Sequence, residues 1–421
     1  MAAEITLEQL KNEIKSARER RKTPDLSKKV LHNLDLRGMD LVGVKLQNAD
    51  LQGCNLQGTD LEGANLQGTK LSGANLQAAD LRGADLRGTD LHGANLQQAD
   101  LLGSNLQKAD LQQANLTEAN LERADLQKAN LAGVIIYGTN LQGANLEGQV
   151  LHTLDLTAVK LRGANLNGTS LTGLNLAGFD LSQVTFQGAN LEKVNLQGAN
   201  LQGADLTKTS SFLSTKETKL AGANTSGANL AAAKLAEVDL EFVEMANVNL
   251  RQANLAAANL PRTNLAGVDL FQANLEGCHL PEANLQGANL AETKLAEADL
   301  HHCNLAGANL QQANLAETNL AEANLQGANL QQVDLGGGNL RAATLDQANL
   351  AGANLQNAAF DGASLQASSL QGADLQESSL IDANLRESDL RGTCLKAAIY
   401  NQNTQWPEGF EAALVRGIGA G

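Results

Sequence analysis

Six side chains that could bind a transition metal lie close together in the second half of the sequence. They combine imidazoles with carboxylates, and both groups bind such ions in proteins. The six residues are His279, Glu282, Asp299, His301, His302 and Glu322. Ion pairing among the same side chains is the alternative interpretation, and the fold that positions them decides between the two.

Four aspartates at regular intervals form a second candidate site. Asp40, Asp60, Asp80 and Asp100 occupy every twentieth position of this stretch. If they stack, neighbouring carboxylates would raise one another's pKa or attract a cation. Arg82 lies two residues after Asp80, and exposed like charges are screened by water. We therefore expect a solvated, ion-paired surface and no cation site.

Other signatures of chemistry point away from catalysis. The sequence contains no serine elbow, phosphate-binding glycine loop or paired acid and base, so we predict no enzyme, no catalytic residue and no cofactor.

Four scattered cysteines without CxxC spacing indicate neither a disulfide framework nor a zinc site. They are Cys54, Cys278, Cys303 and Cys394. Without a charged leader or a long apolar run, we expect a cytoplasmic protein.

Leucine recurs at every fifth position through most of the 421 residues. One array runs from Leu36 to Leu206 and a second from Leu220 to Leu395. The exceptions are Ile136, Phe186, Thr225, Met245 and Phe360. A representative unit covers residues 49–53 and reads Ala-Asp-Leu-Gln-Gly. A period of five fits neither the helical period of 3.6 nor the strand period of 2.

The period is explained if each unit is a very short strand followed by a sharp corner. Alternation along the strand places Leu51 and the small residue Ala49 inside, and Asp50 and Gln52 outside. Gly53 suits the positive φ of a type II turn, whereas Gln, Glu or Lys at that position suits other turn types. We therefore expect corners of mixed type around an aliphatic core, because aromatic residues make up only 2% of the chain.

The repeated Ala-(Asn/Asp)-Leu-x-x unit resembles the pentapeptide-repeat family over most of residues 31 to 395. The resemblance implies an all-β fold, a right-handed quadrilateral β-helix, in which four units close each coil and equivalent positions recur at intervals of 20. The spacing of the four aspartates, and of Pro261 and Pro281, agrees with such coils. Coils of this length place the histidines and their acidic neighbours on one flat face, where side chains diverge, so we expect ion pairs. Cys278 and Cys303 would occupy inward slots.

Both ends of the chain depart from the repeat. Thr6 and Gln9 form a capping box before an amphipathic pattern, which predicts a helix at about residues 6–22 within a cap of residues 1–30. Repeats then occupy residues 31–206 and 220–395. Residues 396–421 are predicted to form an aromatic C-terminal cap. Its aromatic side chains are Tyr400, Trp406 and Phe410, and this tail resembles endings of cyanobacterial pentapeptide-repeat proteins.

The regular register of the repeat breaks once, between Leu206 and Leu220. Residues 207–219 are rich in Ser, Thr and Lys. They form either a surface loop or deformed coil, or a partner-binding loop or hinge. Phe212 and Leu213 would distinguish these alternatives, since exposed side chains would indicate a contact surface.

Charge limits the partners that the chain can bind. A net charge of −15 disfavours nucleic acid, because a phosphate backbone requires a positive stripe. Residues 36–206 carry 11 basic and 17 acidic side chains, a net of −6, and residues 220–395 carry 7 and 20, a net of −13. We also expect no membrane partner.

The leading functional hypothesis is a non-enzymatic protein–protein interaction scaffold or regulatory binding module, with a protein partner of unknown identity. The family resemblance implies an alternative, a DNA mimic that binds a type II topoisomerase such as gyrase. Charge density argues against this alternative, because roughly 43 Å of duplex would hold about 25 charges. The second array offers a net of only 13, spread over four faces. The sequence leaves the oligomeric state open.

Overall fold

Parallel pairing at a sequence separation of 20 organises most of this computed structural model. The structure describes residues 5–207, 220, 223–225, 228–410 and 418–419. The chain divides into two units. The first comprises Met1–Thr172 and Phe179–Asn190, and the second Gly173–Gly178 and Leu191–Gly421.

Four rows of paired residues run through the first unit. In one row Asp40 pairs with Asp60 and Asp60 with Asp80, always in parallel. The other three rows pass through Lys45, Asp50 and Asn55. Each strand contributes a single paired residue, and every row advances by one pair per coil. The predicted fold class, a right-handed quadrilateral β-helix, is confirmed.

Backbone hydrogen bonds run between neighbouring coils. Leu56 N donates to Asn75 O at 2.7 Å, and Asn75 N donates back to Cys54 O at 2.9 Å. This pattern satisfies the backbone groups on both sides of each buried leucine. The second unit repeats it, with Leu310 N donating to Asn329 O at 2.7 Å.

The interior is filled by the leucines and by the small residues two positions before them. Leu66 and Ala64 are fully buried in the first unit, as are Leu290 and Ala288 in the second. We call the position two residues before each leucine the small slot. Where threonine occupies this slot, its hydroxyl is hydrogen-bonded, since Thr59 Oγ1 donates to Leu36 O at 2.9 Å. Close burial of each leucine contributes about 1.5–3 kcal/mol, so stacking stabilises the coils.

The expectation of mixed corners was wrong. The last residue of nearly every described unit has a positive φ whether or not it is glycine, with 62° at Gly93 and 59° at Gln98, and Thr153 is an exception. The turn closes by a hydrogen bond from Ala99 N to Leu96 O at 3.0 Å, while Gln98 N donates to Thr117 O in the next coil at 2.9 Å. These bonds fix the corner from two sides and hold even a non-glycine residue in the left-handed region.

One helix, α1 (Leu7–Glu19), covers the start of the first unit. Thr6 is its N-cap and forms the predicted capping box with Gln9. The helix buries Leu10 and Ile14. No helix among the described residues is long and apolar enough to cross a membrane.

The second unit ends in a small parallel sheet. Strand β1 (Ile399–Tyr400) pairs with β2 (Ile418–Gly419). Trp406 stacks on Phe410 with ring centroids 4.9 Å apart, and its ring meets that of Tyr400 edge-on at 5.4 Å. Trp406 therefore contacts both of the other predicted aromatic side chains of the C-terminal segment.

The register break lengthens a single coil of the second unit. Asn195 pairs with Asn224 and Asp205 with Lys234, in place of the partners that the regular interval would give them. The regular interval resumes where Asn224 pairs with Glu244. The rows therefore continue across the break. Phe212 and Leu213 lie outside the described residues.

Candidate functional site

Rows of asparagine side chains cover the outer faces of the coils. In the second unit Asn289 Nδ2 donates to Asp269 Oδ1 at 2.9 Å, and Asn329 Nδ2 donates to Asn309 Oδ1 at 2.9 Å. The Oδ1 atom of Asn289 also accepts from Ala291 N at 3.3 Å. Each side chain is thus held both by its own turn and by the neighbouring coil. The outer surface is rigid down to its polar side chains.

Within the histidine and carboxylate set, Asp299 contacts two imidazoles. His301 Nδ1 lies 2.7 Å from Asp299 Oδ1, and His279 Nδ1 lies 3.2 Å from Asp299 Oδ2. The two imidazoles therefore approach different oxygen atoms of one carboxylate. The parallel pairing of His279 with Asp299 in successive coils explains the second contact.

The remaining members of the set pair elsewhere. His302 Nδ1 lies 3.5 Å from Glu322 Oε2, and Arg262 Nε lies 3.3 Å from Glu282 Oε2. The rings of His301 and His302 meet edge-on with centroids 5.3 Å apart. The structure thus distributes the six predicted residues over three carboxylates along one face, with two imidazoles on Asp299, one on Glu322, and Arg262 on Glu282.

The environment of Asp299 stabilises its ionised form. Partial burial alone would raise the pKa of Asp299, but hydrogen bonds from the His301 side chain and backbone oppose it. The charge that His301 carries when protonated and a hydrogen bond from Asn319 Nδ2 at 2.9 Å add to them. The net effect lowers the pKa of Asp299 below its ordinary value.

Pro281 explains why a histidine is tolerated at position 279 of this face. At most outward positions an Asn or Asp accepts a hydrogen bond from the backbone N–H two residues later, as Asn284 does from Gln286. His279 lacks a short acceptor of that kind, but the residue two positions later is Pro281, which has no N–H to satisfy. The local sequence therefore tolerates an imidazole at a position that elsewhere favours an amide.

The aspartate row of the first unit is occupied by guanidinium groups. Arg82 Nη2 lies 2.6 Å from Asp80 Oδ2 and 2.8 Å from Glu62 Oε2. The Arg82 hydrogen bonds hold the pKa of the Asp80 carboxyl below its usual range despite partial burial. Arg18, from helix α1, bonds both carboxylate oxygens of Asp40 and lowers its pKa in the same way.

One acidic group in the part of the chain that the structure describes has the spacing to hold a metal ion. Ligand atoms of Asp60, Glu62 and Asp80 lie within 4.8 Å of one another. Arg82 already contacts two of these three carboxylates. The cation in contact with this group is therefore the guanidinium of the chain itself.

Three cysteines lie in the interior as thiols. Each donates to a backbone carbonyl of the preceding coil, as Cys54 Sγ does to Leu31 O at 2.8 Å. Burial raises the pKa of Cys54 to about 11 and the pKa of both Cys278 and Cys303 to about 12. These thiols are protonated at neutral pH and therefore poor nucleophiles.

Sequence reasoning missed the link between Arg18 of helix α1 and Asp40. It also missed the ion pair of Lys29 Nζ with Glu13 Oε2 at 2.9 Å, which joins the helix to the first coil. Both contacts depend on how α1 docks on the coil. The period of the repeat contains no signal for that docking.

Known proteins with the same repeat match the chain. A family model described as pentapeptide repeats matches residues 30–148, 151–210 and 216–396. Among solved structures the chain is similar to HetL, a pentapeptide repeat protein involved in heterocyst differentiation regulation from the cyanobacterium Nostoc sp. strain PCC 7120. The two are 34% identical over 50% of this chain and 87% of HetL, with a TM-score of 0.25.

Two further structures are similar to it. A second pentapeptide repeat protein from Nostoc PCC 7120 is 36% identical over 24% of this chain and 84% of its own, with a TM-score of 0.19. QnrB1, a plasmid-mediated fluoroquinolone resistance protein, is 22% identical over 37% of this chain and 92% of its own, with a TM-score of 0.24. No curated protein sequence matches the chain. Because the ranges that the family model matches together cover most of its residues, the chain belongs to the pentapeptide-repeat family.

Proposed function

We propose that this protein is a non-enzymatic scaffold or regulatory module that docks a protein partner on an outer face of its coils. The carrying observation is the double anchoring of the outward side chains, as in Asn289, whose amide is held by Asp269 and by its own turn. Partners that meet such a surface find side chains already ordered. Binding then costs less conformational entropy than on a flexible surface.

Chemistry on the surface supports binding over catalysis. Asp299 and Asp80 are engaged by His301 and Arg82, and the pKa of both carboxyls is lowered. A general acid near neutral pH requires a raised carboxyl pKa. Three buried thiols with raised pKa values and a fourth free cysteine suit a reducing compartment, which supports a cytoplasmic location as part of this proposal.

Face-specific variants test the proposal. Gln311→Arg with Gln331→Arg alters one face of the second unit, and Gln286→Arg with Gln326→Arg alters another. Each variant leaves the leucines and the asparagine rows unchanged. We expect affinity capture from the native cell to lose a partner with one of these variants and to keep it with the other. Capture that is identical for every face variant would contradict the proposal.

Interaction with a type II topoisomerase stays a prediction. The acidic second array motivates it, yet several of its carboxylates are paired, including Glu282 with Arg262 and Asp361 with Arg341. A supercoiling assay with purified gyrase discriminates the two functions. Unchanged gyrase activity at high protein excess would exclude topoisomerase modulation while leaving the scaffold proposal intact.

A further inference from the structure

The backbone ladder of the first unit is interrupted between residues 128–136 and 147–155. The last backbone hydrogen bond between these coils before the gap runs from Leu126 N to Asn145 O at 2.8 Å. Pairing resumes after the gap with the hydrogen bond from Gly138 N to Thr157 O at 3.2 Å. Between these bonds, four amides that would bond the next coil donate to no backbone carbonyl of the described chain. They are Lys128, Leu131, Gly133 and Ile136.

The four equivalent amides of the preceding coil are all hydrogen-bonded. Lys108, Leu111, Gln113 and Leu116 donate to the following coil at 2.7–3.1 Å. The amides of Val150 and Asp155, on the other side of the gap, also lack the bond that Asn130 and Ile135 make in the coil before. Two adjacent faces are therefore open over this stretch.

Bulky residues in the small slots explain the opening. Gln149 and Leu154 occupy two successive positions where the repeat normally has Ala, Ser, Thr or Val. The Gln149 side chain donates from Nε2 to Leu126 O at 2.8 Å and to Ala129 O at 3.1 Å. It thereby takes the acceptor that the Val150 amide would use. The family model independently omits residues 149–150 from its matches.

Core burial loosens at the same place. Ala129 is 6% exposed and Leu131 9%, whereas Ala109 and Leu111, one coil earlier, are fully buried. On the outer surface beside the gap, large apolar side chains occupy positions that carry polar side chains in most other coils. Ile135, Tyr137 and Val150 are 50–52% exposed. Unpaired backbone and exposed apolar side chains thus coincide on the same two faces.

We propose that this opening, the seam (residues 128–137 and 147–155), binds an extended apolar segment of a partner polypeptide. The proposal rests on the scaffold function and names the partner's chemistry. Free main-chain N–H and C=O groups are complementary to another extended backbone, which adds by main-chain hydrogen bonds. Ile135 and Val150, on the two adjacent faces, then contact apolar side chains of the incoming segment. Charges of both signs at the rim, Lys128 and Glu147, favour an uncharged segment.

Hydrogen exchange on the full chain tests the seam directly. The amides of Leu131, Ile136 and Val150 should exchange at least tenfold faster than those of Leu111 and Leu116, and a probe should protect them. The probe is a synthetic peptide of alternating threonine and valine with a lysine at each end. Exchange in the free chain as slow as one coil earlier, or no protection at saturating peptide, would overturn the proposal.

Matched variants separate the seam from general apolar stickiness. Ile135→Asn with Val150→Asn restores the amide that is common at these positions, and should weaken peptide binding about tenfold. Val42→Gln is the control, because Val42 is also exposed but flanked by a closed ladder, with Gly43 N donating to Glu62 O at 2.8 Å. Equal losses in both variants would contradict the seam.

A closing variant provides an independent arm. Gln149→Ala with Leu154→Ala returns two slots to alanine and should slow exchange at Leu131 and Val150 while abolishing peptide binding. Persistent binding with slowed exchange would overturn the proposal. Sedimentation that shows seam-dependent self-association without peptide binding would assign the surface to a second copy instead, and so reject a partner segment.

Failure here and failure of the scaffold function are distinguishable. If the seam variants bind the peptide like the unaltered chain while a face variant such as Gln311→Arg still loses its captured partner, only the seam is rejected. If capture is insensitive to every face and the peptide binds, the scaffold surface is rejected and the seam stands.

Discussion

Residues 80–126 and residues 127–160 of the first unit share one period but differ in how their coils stack. In the first stretch every inward leucine donates its amide to the next coil, as Leu101 N does to Asn120 O at 2.7 Å. In the second, the amides of Leu131 and Ile136 do not. The inward residues are the same in kind, and the small slots differ. The bulkiest residues at the small position in these two stretches, Gln149 and Leu154, therefore accompany the open ladder, whereas Val333 fills the same position in a closed one, with Asn354 N donating to Val333 O at 2.9 Å.

The largest expected effect breaks the well-packed stretch. Leu111→Ala should lower the free energy of unfolding by about 2–5 kcal/mol, because it leaves a cavity in a fully buried core. Leu131→Ala should cost about half as much, since the seam is already loosened. Chemical denaturation of both variants measures the difference. Equal losses would show that the open ladder does not reflect looser packing.

Transferring the bulky slot to the regular stretch should reproduce the opening. Ala114→Leu is expected to cost about 1–3 kcal/mol through overpacking. It should also accelerate exchange of the Asn115 amide, which donates to Ala94 O at 3.0 Å. Ala114→Thr serves as the control, because threonine fills this slot at Thr89 with its hydroxyl bonded to Leu66 O at 2.8 Å. An unchanged exchange rate in the leucine variant would refute the volume argument.

Corners should be insensitive to the difference between the stretches. Gly93 and Gly133 have φ values of 62° and 67°, and no atom obstructs an added methyl group closely at either. Gly93→Ala and Gly133→Ala should each cost about 1 kcal/mol, the price of a left-handed L-residue. Thermal unfolding compares them. A much smaller cost for Gly133→Ala would mean that the seam also relaxes its corners.

The smallest effect concerns acid stability. The pKa of Asp80 is lowered by Arg82, whereas that of Asp155 is lowered by Thr157, first through its hydroxyl and then its backbone N–H. A lowered folded-state pKa adds stability above the unfolded value, about 3.8, that disappears as pH falls through the folded value. Arg82→Gln should raise the pKa of Asp80, leave that of Asp155 unchanged, and lower stability only slightly at pH 7, because the exposed pair is screened by water. Carboxyl NMR titration reports both, and an unmoved Asp80 would refute this assignment.

Much of the fold was predictable because one interaction repeats. The position of Leu51 in its unit fixes which side chains of the short strand point inward, and the same choice recurs along both arrays. The corners were predicted wrongly at Gln98 and its equivalents. Local turn preference was outweighed there by hydrogen bonds to the neighbouring coil, which hold φ at 59°.

The candidate sites divide in the same way. The contact between His279 and Asp299 follows from the period, because the two residues occupy equivalent positions in successive coils. The link from Arg18 to Asp40 does not, since it requires the docked position of a helix. The sequence contains the two residues that accompany the seam, Gln149 and Leu154. Their effect depends on side-chain volume inside a packed coil, which a pattern of residue classes does not measure.

The asparagine rows give the surface a direction. In the row from Asp269 through Asn289 and Asn309 to Asn329, every amide donates toward the earlier coil. An ionised aspartate accepts but has no proton to pass on, so it can begin a row and cannot continue one. Asp334 duly accepts from Asn354 at 2.7 Å and starts a new row. A duplicated or rearranged coil that carries an aspartate would therefore interrupt the row of amide donors, except at a position where a new row begins.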